Sequence, residues 1–275
     1  VRNETEEGSA NQTLGGIRMT NLFDLTGKTA IIAGASSGIG VQFAEMLAEQ
    51  GADIAILARR YDKLVAVAED IRAKYPERRI IPIECDVRKE DQIIVAVQKV
   101  MEAFGKIDIL LNNAGVVDAV PIEALEEEAW DRVLDTDLKG VFLMSKHVIR
   151  HMKERNYGKI VNTASMLGLT ASASVPTHSY NAAKGGVIHL TRGVAATYAK
   201  HGITVNAIGP SLFKTEMTEN TLFAEKALKM YNAVCPMGRP GNPGELNGAV
   251  LYFASDASSY TTGQTLFVDG GWTII

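Results

Sequence analysis

From Lys28 onward, short apolar runs of strand length alternate with segments of helical period, and this alternation limits the fold more than any other feature. Thr29–Ala33, Asp53–Ala58, Ile80–Glu84, Ile107–Leu111, Lys159–Thr163, Ile203–Ile208 and Thr265–Val268 read as seven strands. Between them, helices are expected at 38–50, 61–75, 90–104, 127–153 and 180–200. The first carries Phe43, Leu47 and the Ala44/Ala48 pair on one face and ends at Gly51, a C-terminal cap. Such a pattern implies a parallel sheet with helices on both faces. The expected class is therefore α/β, a single doubly wound Rossmann-type domain over 22–275. No repeat or internal Pro/Gly/Ser-rich linker divides it. Ligands of such sheets sit beyond the carboxyl ends of the strands, so chemistry is expected just after strands.

Composition removes several alternatives. With 28 basic and 32 acidic residues, the net charge of −4 offers no global basic field, and no nucleic-acid partner is expected. The longest apolar runs fall far short of the roughly 20 residues that span a bilayer. Cys85 and Cys235 lie too far apart for a disulfide framework or a zinc pattern. His147, His151, His189 and His201 fall on helices without metal spacing, so no metal is expected. Glu126, Glu127 and Glu128 suit a helix N-terminus and need no metal to explain them. Residues 1–21 are polar, lack the apolar stretch of a signal peptide, and read as a flexible tail. The chain is expected in the cytoplasm.

The informative residues do follow strands. The first strand runs into Gly34-Ala35-Ser36-Ser37-Gly38-Ile39-Gly40. Glycines there let the backbone approach a pyrophosphate, and the free N–H groups of the next helix face that anion. The spacing, Gly-x-x-x-Gly-x-Gly, differs from the usual dinucleotide fingerprint. The fourth strand ends in Asn112-Asn113-Ala114-Gly115, small and amide residues past which a flat cofactor can lie. The fifth ends at Ser165, and the next helix opens with Tyr180-Asn181-Ala182-Ala183-Lys184. Residues i and i+4 share a helix face about 6 Å apart along the axis. A phenol with a pKa near 10 is a poor base at neutral pH, and a nearby cation favours the phenolate. A serine hydroxyl then holds a substrate oxygen while tyrosine moves the proton.

In this order, the motifs resemble the short-chain dehydrogenase/reductase family over Phe23 to Trp272. Asp86-Val87 looks like the pair that holds adenine in that family. Asn206-Ala207-Ile208-Gly209-Pro210 with Thr215 resembles the segment around the nicotinamide, and Val268-Asp269-Gly270-Gly271-Trp272 its final strand. The resemblance implies hydride transfer between NAD(H) or NADP(H) and a carbonyl or alcohol. It gives catalytic roles to Ser165, Tyr180 and Lys184, with Lys184 also on the nicotinamide ribose. It implies a homotetramer built through the long helix and the Tyr180 helix. Their outer faces are expected to expose Leu138, Val141, Phe142, Val148, Val187, Leu190 and Val194.

Three departures bear on the site. Asp137 stands where the family usually has a catalytic asparagine, as in some sugar-acid dehydrogenases. Ser165 and Tyr180 are two residues further apart than usual, so the loop between them should reshape the substrate pocket. Ser211 stands where glycine commonly follows proline. The second strand ends Ala58-Arg59-Arg60 without an acid for a ribose 2′-OH, so Arg59 is expected to favour NADP(H) while NAD(H) stays open. Residues 210–244, rich in Pro and Gly, read as a flap with a helix over 215–231. Its Leu212, Phe213, Met217, Leu222, Phe223, Leu228, Met230 and Tyr231, with Met166, Leu167, Leu169 and Val175, suggest an apolar lining. That lining leans to a steroid, similar to bacterial hydroxysteroid dehydrogenases of the 20β type. The alternatives are a sugar or sugar-acid dehydrogenase, an acyl-carrier-protein ketoreductase, and a non-catalytic nucleotide sensor.

Overall fold

The computed structural model describes residues 21–275, together with the backbone of 13–14 and 17–18. The remainder of the expected tail at 1–21 lies outside the described residues. Within it, Thr13–Leu14 pairs antiparallel with Ile17–Arg18.

Seven parallel strands form one sheet: β1 Thr29–Ala33, β2 Asp53–Ala58, β3 Ile80–Glu84, β4 Ile109–Asn112, β5 Gly158–Thr163, β6 Ile203–Pro210 and β7 Thr265–Val268. Their order is β3-β2-β1-β4-β5-β6-β7. The chain runs outward from β1 to β3, then returns to the other side of β1 with β4. That reversal leaves a crevice at the carboxyl ends of β1 and β4.

Alternation along β1 assigns its side chains to two cores. Ala30 and Ile32 pack with Phe43 and Leu47 of α1 (Ile39–Glu49) and Val250 and Phe253 of α8 (Asn247–Ala254). Ile31 and Ala33 pack with Ile93 and Val97 of α3 (Glu90–Phe104) and Val148 and Met152 of α5 (Gly140–Arg155). Helices α2 (Tyr61–Lys74) and α6 (His178–Tyr198) complete the layers.

Three expectations change. The long helix is two helices, α4 (Glu127–Leu134) and α5, joined by a π turn at Asp135–Lys139. The flap helix α7 lies at Glu225–Val234, ten residues further on than the pattern's start, and buries no residue. The apolar outer faces are mostly covered already. Val141, Val148 and Val187 are buried within the protomer, and of the seven residues named for that surface only Phe142 is exposed. Their apolar character belongs to the packing of α5 and α6 onto the sheet.

Candidate active site

The cleft at the β1/β4 crevice gathers the strand-end residues. Gly34, Ser36, Ser37, Gly38 and Ile39 line it from the first turn, and Arg59 from the end of β2. Asp86 and Val87 line it after β3, and Asn113, Ala114 and Gly115 after β4. Asp137, Ser165, Tyr180, Lys184, Pro210 and Thr215 complete the expected set. Gly40 is the exception. It lies beneath the loop, where a Cβ would strike the Gly34 carbonyl, so its role is close packing of helix on strand.

The glycine turn is built for close approach. Gly34 has φ +82°, and a Cβ there would lie 2.5 Å from the Ala114 Cα. Gly38, at φ +63°, is the N-cap of α1, whose first turn carries no side-chain cap and no acid. Those N–H groups stay available to an anion. Asn113 ties the turn down. Its Nδ2 donates to the Gly34 carbonyl at 3.0 Å, and its Oδ1 accepts from Thr163 Oγ1 at 3.3 Å. Asp86 is gripped by Arg88, whose Nη2 donates to its Oδ2 at 2.6 Å. That hydrogen bond holds the Asp86 carboxyl below the usual range.

Ser165 ends the β5 segment, and its Oγ accepts the Leu167 N–H at 3.2 Å. Its own O–H therefore remains free to donate. The Lys184 Nζ lies 5.4 Å from the Tyr180 ring centroid and donates to the Thr163 carbonyl at 2.8 Å. Asp137 Oδ2 is 3.2 Å from that ammonium but off-line for a hydrogen bond, so the attraction is ionic. Asp137 Oδ1 accepts the Val116 N–H at 2.8 Å. Gly115 gives the carboxylate room, since a Cβ there would lie 2.8 Å from Oδ2.

The electrostatics differ from a simple lysine-assisted tyrosine. Burial pushes the Tyr180 phenol up, Lys184 pulls it down, Asp137 pushes it up again, and the Ser165 hydroxyl lowers it; the net direction is up. Burial opposes the charge on Lys184, but Asp137 and Tyr180 outweigh it and hold the ammonium protonated. Asp137 itself is raised by burial, against the pull of Lys184. The asparagine-to-aspartate departure thus adds a buried counter-charge that offsets part of the lysine's help to the phenolate.

The substrate side also departs from expectation. Leu212 and Phe213 are buried, 4% and 6% exposed, and Phe213 packs into the core beside Gly241. Of the twelve apolar residues named for the lining, only Phe213 and Met217 line the cleft. No residue between Ser165 and Tyr180 lines it. Asn181 holds that longer loop away, donating to the carbonyls of Leu167 and Thr170, while Leu169 points to solvent. Residues that the sequence reasoning passed over do line the cleft, including Arg60, Glu216 and Thr218.

Comparison with known proteins agrees with this geometry. Residues 34–273 match the family model described as enoyl-(acyl carrier protein) reductase, adh_short_C2. The crystal structure of a short-chain type dehydrogenase/reductase from Mycobacterium marinum superposes with a TM-score of 0.88 at 38% identity, covering 93% of this chain and 99% of that one. The chain belongs to the short-chain dehydrogenase/reductase family. It is an NAD(P)-dependent oxidoreductase acting on CH–OH groups. Gluconate 5-dehydrogenase of Gluconobacter oxydans is 36% identical over 92% of this chain and 98% of its own. The 3-oxoacyl-[acyl-carrier-protein] reductase of Thermotoga maritima is 38% identical over 91% and 99%. A gluconate 5-dehydrogenase from Burkholderia cenocepacia, solved with NADP and tartrate, gives a TM-score of 0.88 at 36% identity, covering 93% and 98%. None of these relatives is a hydroxysteroid dehydrogenase. Among the described residues, no helix is long and apolar enough to cross a membrane.

Proposed function

We propose that this short-chain dehydrogenase is an NADP(H)-dependent enzyme interconverting a keto group and a secondary alcohol on a small polyhydroxylated acid. The observation that carries the substrate class is the lining. Of the flap's apolar side chains only Phe213 and Met217 line the cleft, and Phe213 is already packed in the core, so a steroid would find few apolar partners. The sugar-acid dehydrogenases among its relatives support the same choice. The hydroxysteroid reading is given up on both grounds.

The residues fit the cofactor: a glycine cradle that a Cβ would fill, an uncapped helix N-terminus, and basic side chains at the end of β2. Gly34, Ser36, Ser37, Gly38 and Ile39 would hold the pyrophosphate, Asp86 and Val87 the adenine, and Asn113, Ala114, Gly115, Pro210 and Thr215 the nicotinamide half. Arg59, and more directly Arg60 through the loop serines, would favour a 2′-phosphate. When bound, the nicotinamide supplies or takes up the hydride. Ser165 donates to the substrate oxygen, and Tyr180 passes its proton to that oxygen in reduction. Lys184 keeps its charge beside the phenol, held by Asp137 as a positioning residue. The raised phenol suits the site to donate a proton at neutral pH. A second reading, acyl-carrier-protein ketoreductase, is favoured by the 38% identity to the Thermotoga maritima enzyme.

A panel of 5-keto sugar acids, acetoacetyl thioesters and ketosteroids, followed at the nicotinamide absorbance band, tests the proposal. The highest kcat/KM is expected with the keto sugar acid. A preference for the thioester would move the assignment to the second reading, and a preference for the steroid would overturn the argument from the lining. The chain is also proposed to be a homotetramer of the cytoplasm.

A further inference from the structure

At the mouth of the cleft, the chain binds one of its own carboxylates in a site suited to a phosphate. Arg60 Nη2 donates to Ser36 Oγ at 3.1 Å and to Ser37 Oγ at 2.8 Å. Its Nη1 donates to Glu216 Oε2 at 2.8 Å, and Lys63 Nζ donates to Oε1 at 2.6 Å. Two cations thus converge on one anion, and one of them also holds the two loop hydroxyls beside it. Lys63 lies in the first turn of α2, and Arg60 is the residue before that helix. Glu216 comes from the flap, 153 residues beyond Lys63. Its neighbour Thr215 rests on the glycine turn, 3.2 Å from where a Gly38 Cβ would stand.

That donor set is the one a phosphomonoester would use: a planar guanidinium, an ammonium and hydroxyls of the glycine turn. It sits at the end of β2, where the ribose 2′ position of a dinucleotide is read. We infer that Glu216 is a tethered competitor for the 2′-phosphate of NADP(H), a residue that sets cofactor preference and holds the flap across the cleft until a phosphate replaces it. The inference rests on the proposed NADP(H) reading. Side chains of Arg60, Lys63 and Glu216 are each about half exposed (47%, 49% and 50%), so the contact is weak and exchangeable, as a displaceable latch must be. A phosphate monoester near pH 7 carries more charge than a carboxylate and offers three oxygens. NAD(H), with only a hydroxyl there, has nothing to compete with. The Glu216 carboxyl is held down to about 2 by Lys63, Arg60 and Ser37, so the latch stays charged at every pH where the enzyme is assayed.

The test titrates wild type, Glu216→Gln and Arg60→Ala with NADPH and with NADH, reading Kd by calorimetry. Glu216→Gln should tighten NADPH about three- to tenfold and move NADH by less than about twofold. Arg60→Ala should weaken NADPH about tenfold or more. Hydrogen exchange of 215–223 should quicken in Glu216→Gln without cofactor. If Arg60→Ala weakens NADPH but Glu216→Gln leaves it unchanged, the competitor is overturned and the NADP(H) reading stands. If Glu216→Gln tightens both cofactors equally, the flap contact is not a 2′-phosphate competitor. If Arg60→Ala leaves NADPH untouched, the NADP(H) reading fails and the latch fails with it.

Discussion

Asp137 places a carboxylate 3.2 Å from the Lys184 ammonium, in a position fully shielded from solvent. It raises both the Tyr180 phenol and the Lys184 ammonium. Removing its charge therefore lowers both. Alcohol oxidation needs the phenolate, so its rate climbs with pH as Tyr180 ionises. In Asp137→Asn that climb should begin at lower pH than in wild type. The pH profile of kcat/KM for oxidation reads this directly, and superimposable profiles would remove Asp137 from the site's electrostatics. Ser165, Tyr180 and Lys184 were legible as a set because their order along the chain is specific. Arg59 and Arg60 both line the cleft, but the contact of Arg60 with the loop was not legible, because sequence cannot aim two adjacent side chains. The backbone does so: Arg60, at φ −90° and ψ 84°, leads into α2 and points back to the loop serines. Glu216 was invisible because its partners lie more than 150 residues away.

Elements with a strong local pattern were read closely. Strands β1, β2, β3 and β7 and helix α3 fall where the residues placed them. The long helix did not, because Val133, Val141 and Met144 keep an apolar face on either side of the π turn and hide it from periodicity. That turn is where Asp137 is carried inward. The elements are also joined by a buried polar chain. Asn112 Nδ2 donates to Asn162 Oδ1 at 2.9 Å, and Asn162 Nδ2 donates to Thr191 Oγ1 at 2.9 Å, linking β4, β5 and α6. Asn162→Ala strands buried polar groups on both sides. It should destabilise the fold by about 1–3 kcal/mol, seen in urea unfolding as a lower midpoint with an unchanged slope. A midpoint equal to wild type would show that the chain is not structural. At the glycine turn, Gly40→Ala pushes a methyl into the Gly34 carbonyl. Cofactor affinity should fall by about tenfold or more as the turn shifts, and an unchanged Kd would contradict the packing role.

Across the molecule, the flap is fastened at both ends and tied between them by Glu216 on Arg60 and Lys63 and by Tyr231 stacked on Trp272. Phe213 is packed in the core and bridges to Gly241, whereas α7 buries nothing and exposes Met230 and Val234. The sequence marked a flap by its prolines and glycines, but pattern alone did not show that Leu212 and Phe213 anchor it. With cofactor and substrate bound, hydrogen exchange should slow over 215–234 and stay slow throughout at 212–213. Uniform exchange along 211–235 would mean the anchors are absent. Phe142 of α5 remains exposed on the face expected to pair in the proposed tetramer. Light scattering should return four times the protomer mass of 29.7 kDa, and a monomer at micromolar concentration would refute it.

Tyr180, flanked by Ser165 and Lys184, is proposed to move the proton in a nicotinamide-linked reduction. The direct measurement compares wild type with Tyr180→Phe, using NADPH and a keto sugar acid, with NADPH affinity determined on the same samples. Turnover should fall by about 10²–10⁴ with little change in NADPH Kd, since only the transferable proton is gone. A folded Tyr180→Phe enzyme that binds NADPH and turns over near the wild-type rate would contradict that role.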